Sequence, residues 1–114
     1  MDTSQLLKGA LDLAVLAVLR RSDGYGYDTV HRLRAAGLEG VGDASVYGTL
    51  RRLYASGHLT SYLVPSEEGP PRKYYGVTAA GTDFLRREAG EWALFAAHVG
   101  TALGTDVTPG RETR

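Results

Sequence analysis

The sequence predicts a mainly α protein with one small β-hairpin, closed by a long C-terminal helix. Three observations predict it. Apolar residues recur three and four apart in four separate stretches. Two short strand-like runs flank a Gly-Pro-Pro corner at residues 69–71. The last helical pattern persists from residue 79 to 103, longer than a small domain requires.

The bulk numbers fit one domain. The chain has 114 residues, 43% of them apolar, enough for a modest core. It has no cysteine, which excludes disulfides and thiolate metal sites and suits a reducing cytoplasm. The start, Met1-Asp2-Thr3-Ser4, lacks the basic residues of a signal peptide, and Lys8 and Asp12 interrupt an apolar stretch already too short to span a membrane. A soluble, cytoplasmic protein with no membrane partner is expected. Thirteen basic residues balance thirteen acidic ones, so net charge points to no partner. The basic residues cluster, however, at Arg20-Arg21, Arg32, Arg34, Arg51-Arg52 and Arg72-Lys73, and a neutral total can hide one positive face.

Residues 5–20, "QLLKGALDLAVLAVLR", read as the first helix. Its apolar surface, Leu7, Leu11, Val15, Val18 and Leu19 widened by Leu13 and Leu16, is broader than a surface helix needs and hints at a partner chain. "RSDGYGY" breaks the pattern as a turn. A second helix begins at Tyr25–Tyr27 and runs to about Ala36, where Gly37 ends it. Asp43 suits the N-cap of a third helix, "ASVYGTLRRLYAS", which Gly57 stops. On it Val46, Leu50 and Leu53 form the core stripe. Ser45, Gly48, Arg51, Arg52 and Ala55 face outward: two guanidiniums, one hydroxyl and little else to obstruct an approaching surface.

"HLTSYLVP" and "RKYYGVT" are strands of similar length, and Ser66–Pro71 is the turn between them, giving a two-stranded ribbon with Arg72-Lys73 at its root. Of Tyr74 and Tyr75, one should pack beneath the ribbon and the other stay partly exposed. Thr78 is a good N-cap for the last helix, whose Phe84, Leu85, Trp92, Phe95, Val99 and Leu103 share a side. Residues 104–114, "GTDVTPGRETR", read as a disordered tail.

Helix, helix, helix, hairpin is the order of a winged helix-turn-helix, in which the third helix enters the major groove of DNA and the hairpin, or wing, lies on neighbouring backbone. The division is then 1–78 as the DNA-binding domain, 79–103 as a dimerisation helix and 104–114 as the tail. "LLKGALDLAVLAVL", "YGYD", "SVYGTLRRL", "GPPRKYYGVTAAG" and the Trp-bearing last helix resemble the PadR family of bacterial transcription regulators over about residues 5–103. The resemblance implies a dimeric winged-helix protein, mostly a repressor, often answering to a small molecule. In the family's short subgroup a single C-terminal helix clasps the partner subunit with help from the first helix. By position, Ser45, Tyr47, Gly48 and Arg52 match the recognition-helix motif, Arg72 and Lys73 the wing motif, and Tyr25 and Tyr27 the tyrosine pair opening the second helix. Many members carry proline at Gly48, and His58 stands at a position usually apolar.

The expected DNA contacts are therefore Tyr25, Tyr27, Ser45, Tyr47, Gly48, Thr49, Arg51, Arg52, Arg72 and Lys73. The expected dimer interface is Leu11, Val15, Leu85, Trp92, Phe95, Val99 and Leu103. Trp92 and Phe95 could also line a pocket for a small aromatic or apolar effector, although an interface anchor is their plainer role. The plainer reading of the basic residues is a solvated helix face for Arg51 and Arg52 and edge-strand protection for Arg72-Lys73. Glu67-Glu68 would turn the wing tip away from phosphates. His31, His58 and His98 show no ligand spacing, so no metal and no cofactor is expected. No phosphate loop, nucleophile motif or paired carboxylates suggest an enzyme. Two other classes share these features: a winged-helix protein-interaction module that binds no DNA, and an apolar-ligand carrier using the Trp92 region.

Overall fold

The computed structural model describes residues 9–104. Its elements in order are α1 (Leu11–Arg21), β1 (Gly24–Tyr25), α2 (Gly26–Ala35), α3 (Asp43–Ala55), β2 (Leu59–Val64), β3 (Arg72–Val77) and α4 (Ala79–Leu103). The expected start of the first helix at residues 5–8 lies outside the described residues, as does the expected tail apart from Gly104, the left-handed C-cap of α4.

The core follows the apolar periodicity. Val15, Leu16 and Leu19 of α1 meet Val30 and Leu33 of α2, Val46, Leu50 and Leu53 of α3, Leu59 of β2 and Tyr75 of β3, with Val41 sealing the α2–α3 loop. Helices α2 and α3 end in the same way. Gly37 and Gly57 adopt φ of 109° and 85°, a region closed to most side chains. That turn lets Leu38 N–H reach the Leu33 carbonyl (3.1 Å) and His58 N–H reach the Leu53 carbonyl (2.9 Å), closing two Schellman motifs. Asp43 is not the N-cap of α3, contrary to expectation. It is the first helical residue, behind Gly42, and its carboxylate pairs with Arg34 at 3.0 Å instead. Arg32 is likewise engaged internally, donating to the Val18 carbonyl at the end of α1 (2.7 Å) and pairing with Asp28 (2.9 Å).

The sheet has three antiparallel strands in the order β1-β3-β2, one more than expected. The extra strand is only Gly24–Tyr25, pairing with Tyr75 and Tyr74, inside the stretch read as a turn. The register also moves the wing cations. Arg72 pairs with Val64 and Lys73 with Leu63, next to the turn, while the root is the Leu59–Val77 pair. Arg72-Lys73 thus sit at the far end of the ribbon rather than its root. Tyr75 is buried and Tyr74 half-buried, as expected.

Thr78 caps α4, its hydroxyl oxygen accepting from Gly81 N–H (3.0 Å) while donating to the Gly57 carbonyl (2.7 Å). Gly81 is there because a Cβ would overlap the His58 carbonyl oxygen. Phe84 and Leu85 pack α4 onto the core, with Phe84 stacked on the His58 ring at 4.4 Å. Beyond them the helix continues with Trp92 (49% exposed), Phe95 (66%), Val99 (39%) and Leu103 (67%) open. Val15 was expected in a dimer interface, but it is fully buried within its own chain and has no surface to offer a partner. Leu11 and Leu85 are partly covered by the same core.

Candidate nucleic-acid interface

The exposed side of α3 divides into two flanks at about 100° per residue. Tyr47 and Tyr54 form the flank facing the wing. Ser45, Gly48 and Arg52 form the flank facing α1. Of the two arginines, Arg51 lies nearer the point opposite Val46 and Leu53, so it is the more outward cation of the helix.

On the wing flank, Tyr25, Tyr27, Tyr47, Tyr75, Arg72 and Lys73 line an open hollow of about 470 Å³. The Tyr47 ring lies on Gly26, where a Cβ would collide with it. The Arg72 guanidinium sits 4.6 Å above the Tyr25 ring. Lys73 Nζ lies 5.6 Å from the Tyr54 ring and 5.9 Å from that of Tyr75, so the wing cation reaches over α3 itself. Tyr27 is 57% exposed and edge-on to His31 at 4.4 Å. Behind the hollow the aligned positions of β1, β3 and β2 carry a ladder of rings, Tyr25 to Tyr74 at 5.3 Å and Tyr74 to Tyr62 at 6.0 Å, which holds the wing at a set angle. The far end is tied down by the Tyr62 hydroxyl donating to Asp23.

On the other flank, Leu11, Ala44, Ser45, Gly48, Arg51 and Arg52 line a second hollow of about 540 Å³. Two expected contacts look different here. Thr49 also borders this hollow, but it is 2% exposed and its hydroxyl accepts from Arg52 Nη2 (3.3 Å), so it offers a duplex almost no surface. Arg52 is not a free cation: Nη1 and Nη2 donate to the two oxygens of Asp12, at 3.0 and 3.2 Å. That hydrogen bond and the carboxylate's charge raise the Arg52 pKa above its ordinary value.

Residues 15–87 match the transcriptional regulator PadR-like family. This chain belongs to that family. Among solved structures, a PadR-family regulator of Eggerthella lenta is 33% identical with a TM-score of 0.80, covering 90% of this chain and 89% of its own. A PadR-like regulator of Bacillus cereus is 29% identical with a TM-score of 0.77, covering 90% and 99%. A PadR-family regulator of Clostridium difficile is 28% identical with a TM-score of 0.73, covering 82% and 97%. The fold is thus the PadR winged helix-turn-helix, and the family is one of regulators, not enzymes. Among the described residues no group of three or more His, Asp or Glu is placed to hold a metal, and no helix is long and apolar enough to cross a membrane.

In this PadR-like chain the structure brings Tyr25, Tyr27, Tyr47, Arg72 and Lys73 around the wing-side hollow, and Ser45, Gly48, Arg51 and Arg52 around the one on the adjoining flank. Sequence reasoning missed Tyr54, although it stands seven residues from Tyr47 and so on the same helical flank. It also missed the partners Asp12 and Asp23, which no local pattern ties to Arg52 or Tyr62.

The Tyr62–Asp23 bond has a measurable signature. By accepting a hydrogen bond from the phenol, Asp23 raises the Tyr62 pKa above its ordinary 10.0. The bond's contribution to folding is therefore complete below about pH 10 and disappears as pH rises through the elevated folded-state value. In an absorbance titration one tyrosine should ionise late, and Tyr62→Phe should remove that component; a curve unchanged by the substitution would refute the assignment.

Proposed function

We propose that this PadR-like regulator binds duplex DNA as a homodimer, one α3 in the major groove of each half of a pseudo-palindromic operator and the wing on neighbouring phosphates. The observation that carries the reading is that α3 bears cations on both of its exposed flanks, Arg51 beside Ser45 and Gly48 on one and the wing's Arg72 and Lys73 among tyrosines on the other. Guanidiniums can bridge phosphates or take guanine edges two-pronged, and lysine supplies charge to the backbone. Ser45 and the tyrosine hydroxyls donate to phosphate oxygens, and Gly48 permits close backbone approach.

The dimer rests on α4. Trp92, Val99 and Leu103 continue the face by which Leu85 meets the core, with Phe95 on its flank, and an aromatic stripe of this kind suits a second copy of the same helix. A dimer seated on an operator excludes other proteins from that DNA, so repression is the expected consequence. Trp92 and Phe95 of the two subunits would also frame the place for a small aromatic or apolar effector, which would release DNA by altering the separation of the reading helices.

Selection of bound fragments from random duplexes tests this. The wild type should yield an inverted repeat with half-sites about 34 Å apart, one helical turn. Trp92→Glu, which places a charge in the stripe, should sediment as a monomer and yield no repeat. Recovery of no consensus would favour a protein-interaction module, and ligand binding without DNA binding would favour a carrier.

A further inference from the structure

Arg52 carries the motif position of a DNA contact, yet the structure shows its guanidinium already taken. Asp12 accepts from both terminal nitrogens, at 3.0 and 3.2 Å. Those nitrogens form the edge that a phosphate or a guanine would otherwise engage. While the pair holds, Arg52 offers the duplex only a neutralised charge, with a carboxylate beside the surface assigned to phosphates.

We propose that Asp12 is an intramolecular competitor for the operator, holding Arg52 in an ion pair that DNA must exchange and thereby setting the affinity of the recognition helix. The inference rests on the DNA-binding reading above and adds a residue to it that no DNA-contact motif contains.

Three features favour a latch over a structural fastening. The side chains are 63% and 36% exposed for Arg52 and Asp12, so water and salt screen the pair and its rupture costs little. The helices it joins are already bound through Val15 and Leu16 of α1 and Val46, Leu50 and Leu53 of α3, all buried. And Arg52 lines the same hollow as Ser45, Gly48 and Arg51, so a phosphate settling there meets the guanidinium at the distance where exchange from one oxyanion to another needs only side-chain rotation. The neighbouring Arg51 has no such acidic partner among the described residues.

The test is a double-mutant cycle on the full chain with a short labelled duplex of random sequence, read by anisotropy from about 50 to 200 mM salt. Asp12→Asn should bind about three- to tenfold more tightly than wild type near 100 mM salt. Its log–log salt slope should steepen by about 0.9, the release of one more phosphate counterion. Arg52→Ala should weaken binding more in the Asp12→Asn background than in wild type, because only there is the cation free. The proposal is overturned if Asp12→Asn binds no better than wild type, or if its gain is unchanged when Arg52 is alanine, which would mark a general charge effect. It is equally overturned if Asp12→Asn lowers the melting midpoint by more than about 5 °C, since the pair would then be holding the fold. If neither wild type nor Asp12→Asn binds any duplex at low salt, the DNA-binding reading itself fails; binding by wild type without a gain in the variant removes only the latch.

Discussion

In a protein carrying Gly81→Ala, the folded state should lose about 2–3 kcal/mol, lowering the melting midpoint by roughly 10–20 °C. The added methyl would overlap the His58 carbonyl oxygen and crowd a Val77 methyl at 2.9 Å. The carbonyl cannot step aside, because it accepts from Thr78 N–H at 3.1 Å in the junction between strand and helix. Relief therefore requires α4 to lift from the domain, loosening Phe84 and Leu85 with it. The sign is the informative part. Alanine is a better helix former than glycine by about 1 kcal/mol, so helix propensity alone predicts stabilisation. Gly90→Ala supplies the contrast within the same helix: nothing lies within 4 Å of its added methyl, and it should stabilise by about 0.5–1 kcal/mol. Thermal melts of the two variants should move in opposite directions. If Gly81→Ala melts at or above the wild-type temperature, the close junction described here is wrong.

Removing Arg51, Arg72 and Lys73 together, each to alanine, should weaken duplex binding by at least about a hundredfold near 100 mM salt. The log–log salt slope should flatten by about 2.7, or about 0.9 for each of three phosphates. All three side chains are exposed, and none is among the described ion pairs, so the melting temperature should stay close to that of the wild type. Arg20→Ala with Arg21→Ala is the control, since those cations, in the last turn of α1, line neither hollow. Equal losses in the two variants would mean that the protein attracts DNA by diffuse charge and has no defined interface. A triple variant that binds as tightly as wild type would reject the interface outright.

Periodicity made the helices and their buried faces readable before any coordinates, because a stripe such as Val46, Leu50 and Leu53 has only one arrangement that hides it. Gly37 and Gly57 were equally readable as stops, since their positive φ marks a backbone geometry that glycine tolerates. What stayed hidden has other physical origins. Strand β1 is two residues long and owes its existence to β3, so no local pattern could declare it. Arg72-Lys73 follow the Ser66–Pro71 turn directly, so chain order alone puts them at the far end of the wing, and placing them at its root did not follow from the sequence. Thr49 was expected among the DNA contacts, yet it is almost wholly buried, with Arg52 as its donor. Val15 belonged to a helix broad enough to suggest a partner, and its own domain used it. The Asp12–Arg52 pair spans 40 positions, beyond anything local spacing can reveal.

The hydroxyl of Thr78 has a mechanical consequence. It holds the first turn of α4 and the carbonyl that ends the α3 Schellman turn at once, welding a stiff 25-residue shaft to the base of the reading element. A shaft of that length extends about 37 Å, so a tilt of about 5° at the weld swings its free end by roughly 3 Å. Read in reverse, displacing the outer end slightly would rotate the attached domain as a crank turns its axle, with no need for the interior to repack.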